Sequence, residues 1–454
     1  MTTTIPFNLD ELEYLSKEYK TPYYIYDGDK IKEHAKFYMN TFKKYFRNFK
    51  QFYAVKANPN PSILQLLDDC GMNFDCSSPD EINIVNMMNE HNNYKKIDIM
   101  YTSNYTSVED LDHALQNNCI INLDDIDGFY NLLETPNFLK KHNNLSDLIS
   151  FRYNPILNNN DVDIKSNNFA GNSTKFGMTY DRILEAYQLA QKHSIQRFGL
   201  HTMCVSNQLD ITYWKDLLDN VFILVNELDK KFNIKVEFIN IGGGIGIPYK
   251  PDEKNINLEE LVKLIRLSFD DNIKKYNLDF EPHLYTECGR YITGQFGYLV
   301  SRCKSIKNTG SSIFYGLDAN MSNLMRPGMY NAYHNISIPR LYNSINFTNS
   351  NVVGTLCENN DWFAKNRLLP IEIKKEDLFV IHDAGAHGFS MGFNYNSKLK
   401  SCELLKLNNY ISCIRDRETF HNLFSNTLIY KQLKQLEILY ICSVITFIIF
   451  FLFF

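Results

Sequence analysis

The chain is predicted to be an α/β protein in two parts, a (β/α)8 TIM-type barrel followed by a C-terminal β-sandwich or β-barrel domain. Three observations predict this. Strand-like and helix-like runs alternate for about 250 residues after Tyr23. Short alternating runs with turns replace them beyond Pro282, and no Gly/Ser-rich spacer separates the two regions. A chain of 454 residues with 44% hydrophobic content has room for two cores.

In chain order, residues 9–19 carry a helical pattern that stops before Pro22, and 23–27 read as a strand; the segment 1–27 is expected to pack with the β domain. The barrel is assigned to 28–283. Its expected strands are 52–56, 73–76, 97–101, 120–123, 148–153, 198–201 and 236–241. The expected helices are 61–70, 79–89, 108–116, 181–193, 214–230 and 258–276. Chemistry in such a barrel belongs at the C-terminal ends of the strands. The β domain is assigned to 284–426, with runs at 283–287, 297–306, 311–317, 336–341, 351–356 and 378–382. Asparagine-rich patches such as 158–160 and 167–168 read as surface insertions.

Residues 427–454 form an appended hydrophobic tail. From Ile438 to Phe454 only Ser443 and Thr446 interrupt the apolar run, a length at the short edge of the roughly 20 residues that cross a bilayer. It reads either as a C-terminal membrane anchor or as an apolar terminus of no functional meaning. Elsewhere a net charge of -5 from interspersed signs excludes a basic face for nucleic acid or anionic lipid. Partners are then small molecules or a second copy of the chain. Ten cysteines without metal-like spacing, and no secretory segment, favour reduced thiols in the cytoplasm and no metal site.

The chemistry starts at Lys56, which closes an apolar run ahead of Asn58-Pro59-Asn60-Pro61. Partial desolvation is expected to lower its pKa and free a neutral amine for Schiff-base formation; the alternative is a solvated lysine at a strand end. Gly242, Gly243 and Gly244 follow an apolar strand, where backbone N–H groups can approach a phosphate, although three glycines can also be only a tight turn. Glu287 ends another run, and Cys357 lies beside Glu358. An imine-forming amine, a phosphate cradle, an anion for a pyridinium and a thiol acid are what pyridoxal 5'-phosphate requires.

Several longer segments resemble the fold-type III pyridoxal phosphate decarboxylases, and within them the diaminopimelate decarboxylase family. They include 21–27, 53–58, 74–78, 324–334, 383–391, 394–396 and 415–420, with Cys357-Glu358 followed by Asp361. The resemblance runs from about Thr21 to Leu423. It implies decarboxylation of meso-2,6-diaminopimelate to L-lysine and CO2, in a homodimer whose active sites are shared between subunits.

Carried onto this chain, the resemblance has Lys56 hold the cofactor and then act as a base. Gly242, Gly243, Gly244 and Ser206 would meet its phosphate, and Glu287 its ring nitrogen. Arg290 and Arg326 would bind carboxylates, Arg290 also meeting the cofactor, Tyr330 and Glu358 the distal end of the substrate, Tyr395 both phosphate and substrate. Cys357 would deliver a proton, although a lone cysteine is more often a small buried hydrophobe. The segment 199–206 departs from the family, whose second histidine stacks on the cofactor ring where this chain has Met203; His201 is the remaining histidine for that role. Cys288, Asn320 and Asn360 are further replacements. A decarboxylase of different substrate and a catalytically silent regulatory homologue remain as alternatives.

Overall fold

The computed structural model describes residues 5–91, 97–138, 148–155 and 174–453. The patches at 158–160 and 167–168 lie outside the described residues.

The first strand, β1 (Tyr23–Asp27), belongs to the sheet of the second domain. Eight parallel strands then close a barrel: β2 (Lys50–Ala54), β3 (Asn73–Cys76), β4 (Ile99–Thr102), β5 (Ile120–Leu123), β6 (Leu148–Tyr153), β7 (Arg197–Thr202), β8 (Val236–Asn240) and β9 (His283–Thr286). Helices pack outside it. The longest of those, Thr212–Phe232, buries Trp214, Leu217, Leu218, Val221, Phe222, Val225 and Leu228, the i, i+3, i+4 stripe of a core-facing helix. It ends where Asn233 turns left-handed at φ +53°.

β9 pairs with both β8 and β2. The boundary expected between 283 and 284 therefore falls inside the closing strand, and the barrel extends through Thr286. Among the described residues, two helices within the barrel region 28–283 are additional to those expected, Gly28–Tyr45 and Ile126–Glu134.

Side-chain alternation grades the barrel interior from an apolar floor to a polar mouth. Phe52, Met100, Ile120, Leu148, Phe238 and Tyr285 form the floor, with the rings of Phe238 and Tyr285 stacked 4.5 Å apart. Gly199 makes room for them, because a Cβ there would collide with the Phe238 ring. Two residues further along the same strand faces come Ala54, Thr102, Asn240, His201 and Glu287.

The second domain is a nine-stranded sheet of β1 with β10 (Gly297–Asn308), β11 (Ile313–Leu317), β12 (Ile336–Ser337), β13 (Phe347–Val353), β14 (Trp362–Pro370), β15 (Leu378–Ile381), β16 (Cys402–Leu407) and β17 (Tyr410–Arg415). The strand order is β14-β13-β11-β10-β1-β16-β17, with β15 pairing β10 and β12. β1 runs antiparallel to β10 and parallel to β16. Its neighbour across the sheet is thus nearly the last strand of the chain.

The chain ends in the helix Leu428–Phe453. Leu428, Ile429, Leu433, Leu436 and Leu439 on it are exposed. Among the described residues no helix is long and apolar enough to cross a membrane, so the anchor reading of the tail finds no support there.

Candidate active site

Lys56 does not end the strand, as its sequence context suggests, but sits on the single turn Val55–Ala57 that follows β2. The second domain pins this turn. The Ala57 carbonyl accepts hydrogen bonds from the His387 N–H at 2.8 Å and the Ser390 hydroxyl at 3.3 Å, and Asn58 donates to the Gly385 carbonyl. Lys56 thereby points into the barrel mouth, half exposed to the cavity, with Nζ 3.5 Å from Asp75 Oδ2.

The expectation of a depressed lysine pKa is reversed. Burial favours the neutral amine, but the charges of Asp75, Glu287 and Glu81 outweigh it and hold Lys56 above its ordinary value. Asp75 is fully buried, and neither of its oxygens has a hydrogen-bond partner. Burial first, and the charge of Glu287 second, push its carboxyl well above the usual range. Glu287 is the opposite case. Burial alone would raise it too, yet His201, then the Lys56 charge and Asn240, hold it below the usual carboxylate value. Asn240 Nδ2 donates to Oε1 at 2.7 Å, and His201 Nε2 lies 3.1 Å from Oε2. Two buried acids in one site are driven apart because close partners outweigh burial at Glu287, whereas burial and the Glu287 charge outweigh Lys56 and Thr102 at Asp75.

His201 is consequently a partner of Glu287 inside the barrel, fully buried, and does not line the cavity. Met203 does line it, two residues on. Its thioether accepts the Gly243 N–H at 3.2 Å, and its carbonyl accepts from Arg152. The ring-facing role offered to His201 is not supported by its place: it is buried against Glu287 below the cavity, and Met203, just beyond the end of β7, lines the cavity instead.

The glycine triplet lies beside Lys56, and Gly243 and Gly244 line the same cavity. A Cβ on Gly243 would stand 2.8 Å from the Glu287 carbonyl, and one on Gly244, at φ +92°, 2.6 Å from that of Val205. Close backbone approach makes the turn glycine-only. Gly242 N–H is already bonded to Asn240 Oδ1 at 2.9 Å. Gly243 N–H is held only by the weakly accepting sulfur of Met203, which a phosphate oxygen outcompetes.

Beyond the triplet the cavity widens to about 610 Å³, lined by Lys56, Met203, Ser206, Tyr249, Arg290, Arg326, Tyr330 and His387 among others. Arg290 donates to the Tyr249 hydroxyl at 2.6 Å and reaches Ser206 Oγ at 3.4 Å. Arg326 lies over the Tyr249 ring, 4.5 Å from its centroid. Two guanidinium groups thus share one phenol in place of carboxylates, a setting that favours anions. Tyr249, His387 and Asp75 carry no assigned role in the sequence reading, although each lies within or beside a segment it singles out.

Cys357, Glu358 and Tyr395 do not line the cavity around Lys56. They form an exposed cluster on the second domain. Asn396 Oδ1 accepts the Cys357 N–H at 2.7 Å, and the Tyr395 hydroxyl lies 3.5 Å from the Cys357 carbonyl. Asp361 shapes their loop by accepting the N–H groups of Met321 and Leu356. At the opposite barrel mouth lies a polar cleft whose Lys50–Asp98 and Arg197–Glu237 pairs neutralise one another at 2.6 Å each. That cleft offers no uncompensated charge.

The residues at the Lys56 mouth fit pyridoxal phosphate: a primary amine, a displaceable N–H donor in a glycine turn, two arginines free of ion pairs with the site's acids, and an anionic buried glutamate. Comparison with known proteins agrees. A family described as pyridoxal-dependent decarboxylase, pyridoxal binding domain, matches residues 29–294. Protein TabA of Pseudomonas amygdali pv. tabaci is 36% identical over 422 residues, 90% of this chain and 91% of that protein. Diaminopimelate decarboxylase of Methanothermobacter thermautotrophicus is 32% identical, covering 90% and 92%. Among solved structures, diaminopimelate decarboxylase from Helicobacter pylori complexed with L-lysine superposes with a TM-score of 0.79 at 28% identity, covering 91% of this chain and 98% of that one. The chain belongs to the diaminopimelate decarboxylases, within the pyridoxal-dependent decarboxylase family.

Proposed function

We propose that the protein decarboxylates meso-2,6-diaminopimelate to L-lysine and CO2 at the barrel mouth around Lys56. The observation that carries this reading is the convergence of Lys56, Gly243, Gly244, Glu287 and Arg290 on one cavity, with Arg326 and Tyr330 on its outer wall. When bound, pyridoxal phosphate takes up the electron pair left by the departing carboxylate.

The chain's own residues supply the rest. Lys56 holds the cofactor through Nζ. Glu287, held ionised by its partners, would pair with the cofactor's ring nitrogen and keep it protonated. Gly243, Gly244, Ser206 and Arg290 would hold the phosphate, with Gly242 shaping their turn. Arg326 and Tyr330 take a substrate carboxylate in bidentate fashion. Cys357 Sγ carries the proton that replaces CO2, Glu358 pairs with the remote ammonium group, and Tyr395 stands beside them.

Those last three belong to a cluster outside the Lys56 cavity of their own subunit. We assign them to the site of a second copy, in a homodimer with shared active sites. The nine described cysteines are all unpaired, which suits a reducing cytoplasmic compartment.

The test is CO2 release from meso-diaminopimelate, compared with lysine, ornithine and arginine. Release from diaminopimelate alone is expected, with a cofactor absorbance near ~420 nm that Lys56→Ala abolishes. Equal or greater release from another amino acid overturns the substrate assignment, and retained absorbance in Lys56→Ala overturns the attachment.

A further inference from the structure

Arg326 is a buried guanidinium on the short helix Arg326–Tyr330, and its close contacts are unusual. At close range it meets a histidine and a phenol ring where a buried arginine ordinarily pairs with a carboxylate; the charge of Asp383 acts on it without an ion pair. Arg326 Nη1 lies 2.8 Å from His334 Nε2. The other ring nitrogen, His334 Nδ1, lies 2.8 Å from the His382 carbonyl oxygen.

These two contacts fix the protonation of the ring. A guanidinium only donates, so Nε2 must carry a lone pair; a carbonyl only accepts, so Nδ1 must carry the hydrogen. No other tautomer satisfies both, and a doubly protonated ring would set an N–H against the guanidinium. Burial, and Arg326 after it, drive His334 well below its ordinary pKa in the same direction.

The frame holding this ring is rigid. His334 is fully buried, and its ring meets that of Tyr249 edge-on at 5.1 Å. Its carbonyl accepts from Arg367 at 2.8 Å. The His382 N–H donates to the Asn335 carbonyl, and the Ser337 hydroxyl lies 2.6 Å from His382 Nε2. Immediately beyond, Ile336 and Ser337 pair with Ile381 and Val380 in the sheet.

We infer that His334 is a positioning residue that, by accepting a hydrogen bond from Arg326, aims the rest of that guanidinium at a substrate carboxylate. With one nitrogen tied back to the β domain, Arg326 lines the cavity that Lys56 also lines. A histidine suits this better than an aspartate. A carboxylate would neutralise the arginine and compete with the ligand, whereas a neutral acceptor orients it and leaves its charge for the ligand. Tyr249 serves the same end from the barrel side, stacking under Arg326 and hydrogen-bonding Arg290.

The inference rests on the decarboxylase reading, and the two fail differently. An unmodified enzyme that releases no CO2 from diaminopimelate sinks the reading; an active enzyme whose carboxylate affinity ignores position 334 sinks the inference. The experiment uses the cofactor-loaded protein with His334→Leu, which removes the acceptor, and His334→Gln, which keeps an acceptor and a donor. Loss of one charge-assisted hydrogen bond corresponds to roughly a tenfold to hundredfold effect. In His334→Leu, KM for meso-diaminopimelate and the dissociation constant for L-lysine should rise by that factor, with kcat within about threefold of the parent. Binding of pentane-1,5-diamine, which has no carboxylate, should not change. His334→Gln should recover most of the lysine affinity. Unchanged lysine binding in His334→Leu, or equal weakening of lysine and the diamine, overturns the inference. Should His334→Leu not fold, His334→Asn, too short to reach Arg326, replaces it: weaker lysine binding than in His334→Gln supports the inference, and equal binding overturns it.

Discussion

The amine of Lys56 is set by three carboxylates, and Asp75 is the nearest of them. An apolar run alone suggests a depressed pKa. The acids arrive from other elements of the barrel, and their charges outweigh desolvation. Cofactor attachment needs the neutral amine. Replacing Asp75 with asparagine removes one charge that favours the ammonium form, so Lys56 should lose its proton at lower pH. The pH profile of pyridoxal phosphate uptake, followed by absorbance, should therefore move to lower pH in Asp75→Asn; an unmoved profile would show that Glu287 and Glu81 alone set the amine. Lys56, Glu287, Arg290 and Arg326 are legible in the sequence because each bears its chemistry at or just beyond a recognisable strand or motif. Asp75, Tyr249 and His387 are not. Tyr249 matters through two arginines 41 and 77 positions further on, and His387 reaches Lys56 only because a separate sheet docks on the barrel.

Among the elements, the turn after β8 joins local backbone chemistry to the site. At Gly244 a positive φ coincides with a Cβ position 2.6 Å from the Val205 carbonyl, whereas Gly310 has φ +84° and nothing within 4 Å. Gly244→Ala should destabilise the protein by about 2–4 kcal/mol, and Gly310→Ala by only about 1–2 kcal/mol. Denaturant unfolding of the two variants checks this; equal losses would mean that the turn yields easily. The strand and helix alternation of the barrel is readable because apolar periodicity changes with each element. Its last strand is not. The composition turns β-like at Pro282, four residues before the barrel has closed, and closure by β9 depends on pairing with β2, the first barrel strand. The helix Gly28–Tyr45 carries a legible stripe in Ile31, Ala35, Tyr38, Met39 and Phe42, but seven of its other residues are charged, which hides it from a reading by local hydrophobicity.

For the whole molecule, the separation of Lys56 from Cys357 within one subunit has a direct test. Lys56→Ala and Cys357→Ala should each be inactive in CO2 release. If sites are shared, unfolding and refolding the two variants together yields mixed dimers with one intact site, and about a quarter of the parental activity should return on statistical grounds. No recovery would place the complete machinery within a single subunit. The position of β1 between β10 and β16 bears on how the protein is made. The barrel is contiguous and can close while synthesis continues. Residues 23–27 precede both flanking strands and must wait for them, the second beginning only at Cys402. Until then a ribbon with aromatic and aliphatic side chains on both faces stays unshielded, so a nascent chain stalled before that point is the form in which holdase chaperones should find their binding site.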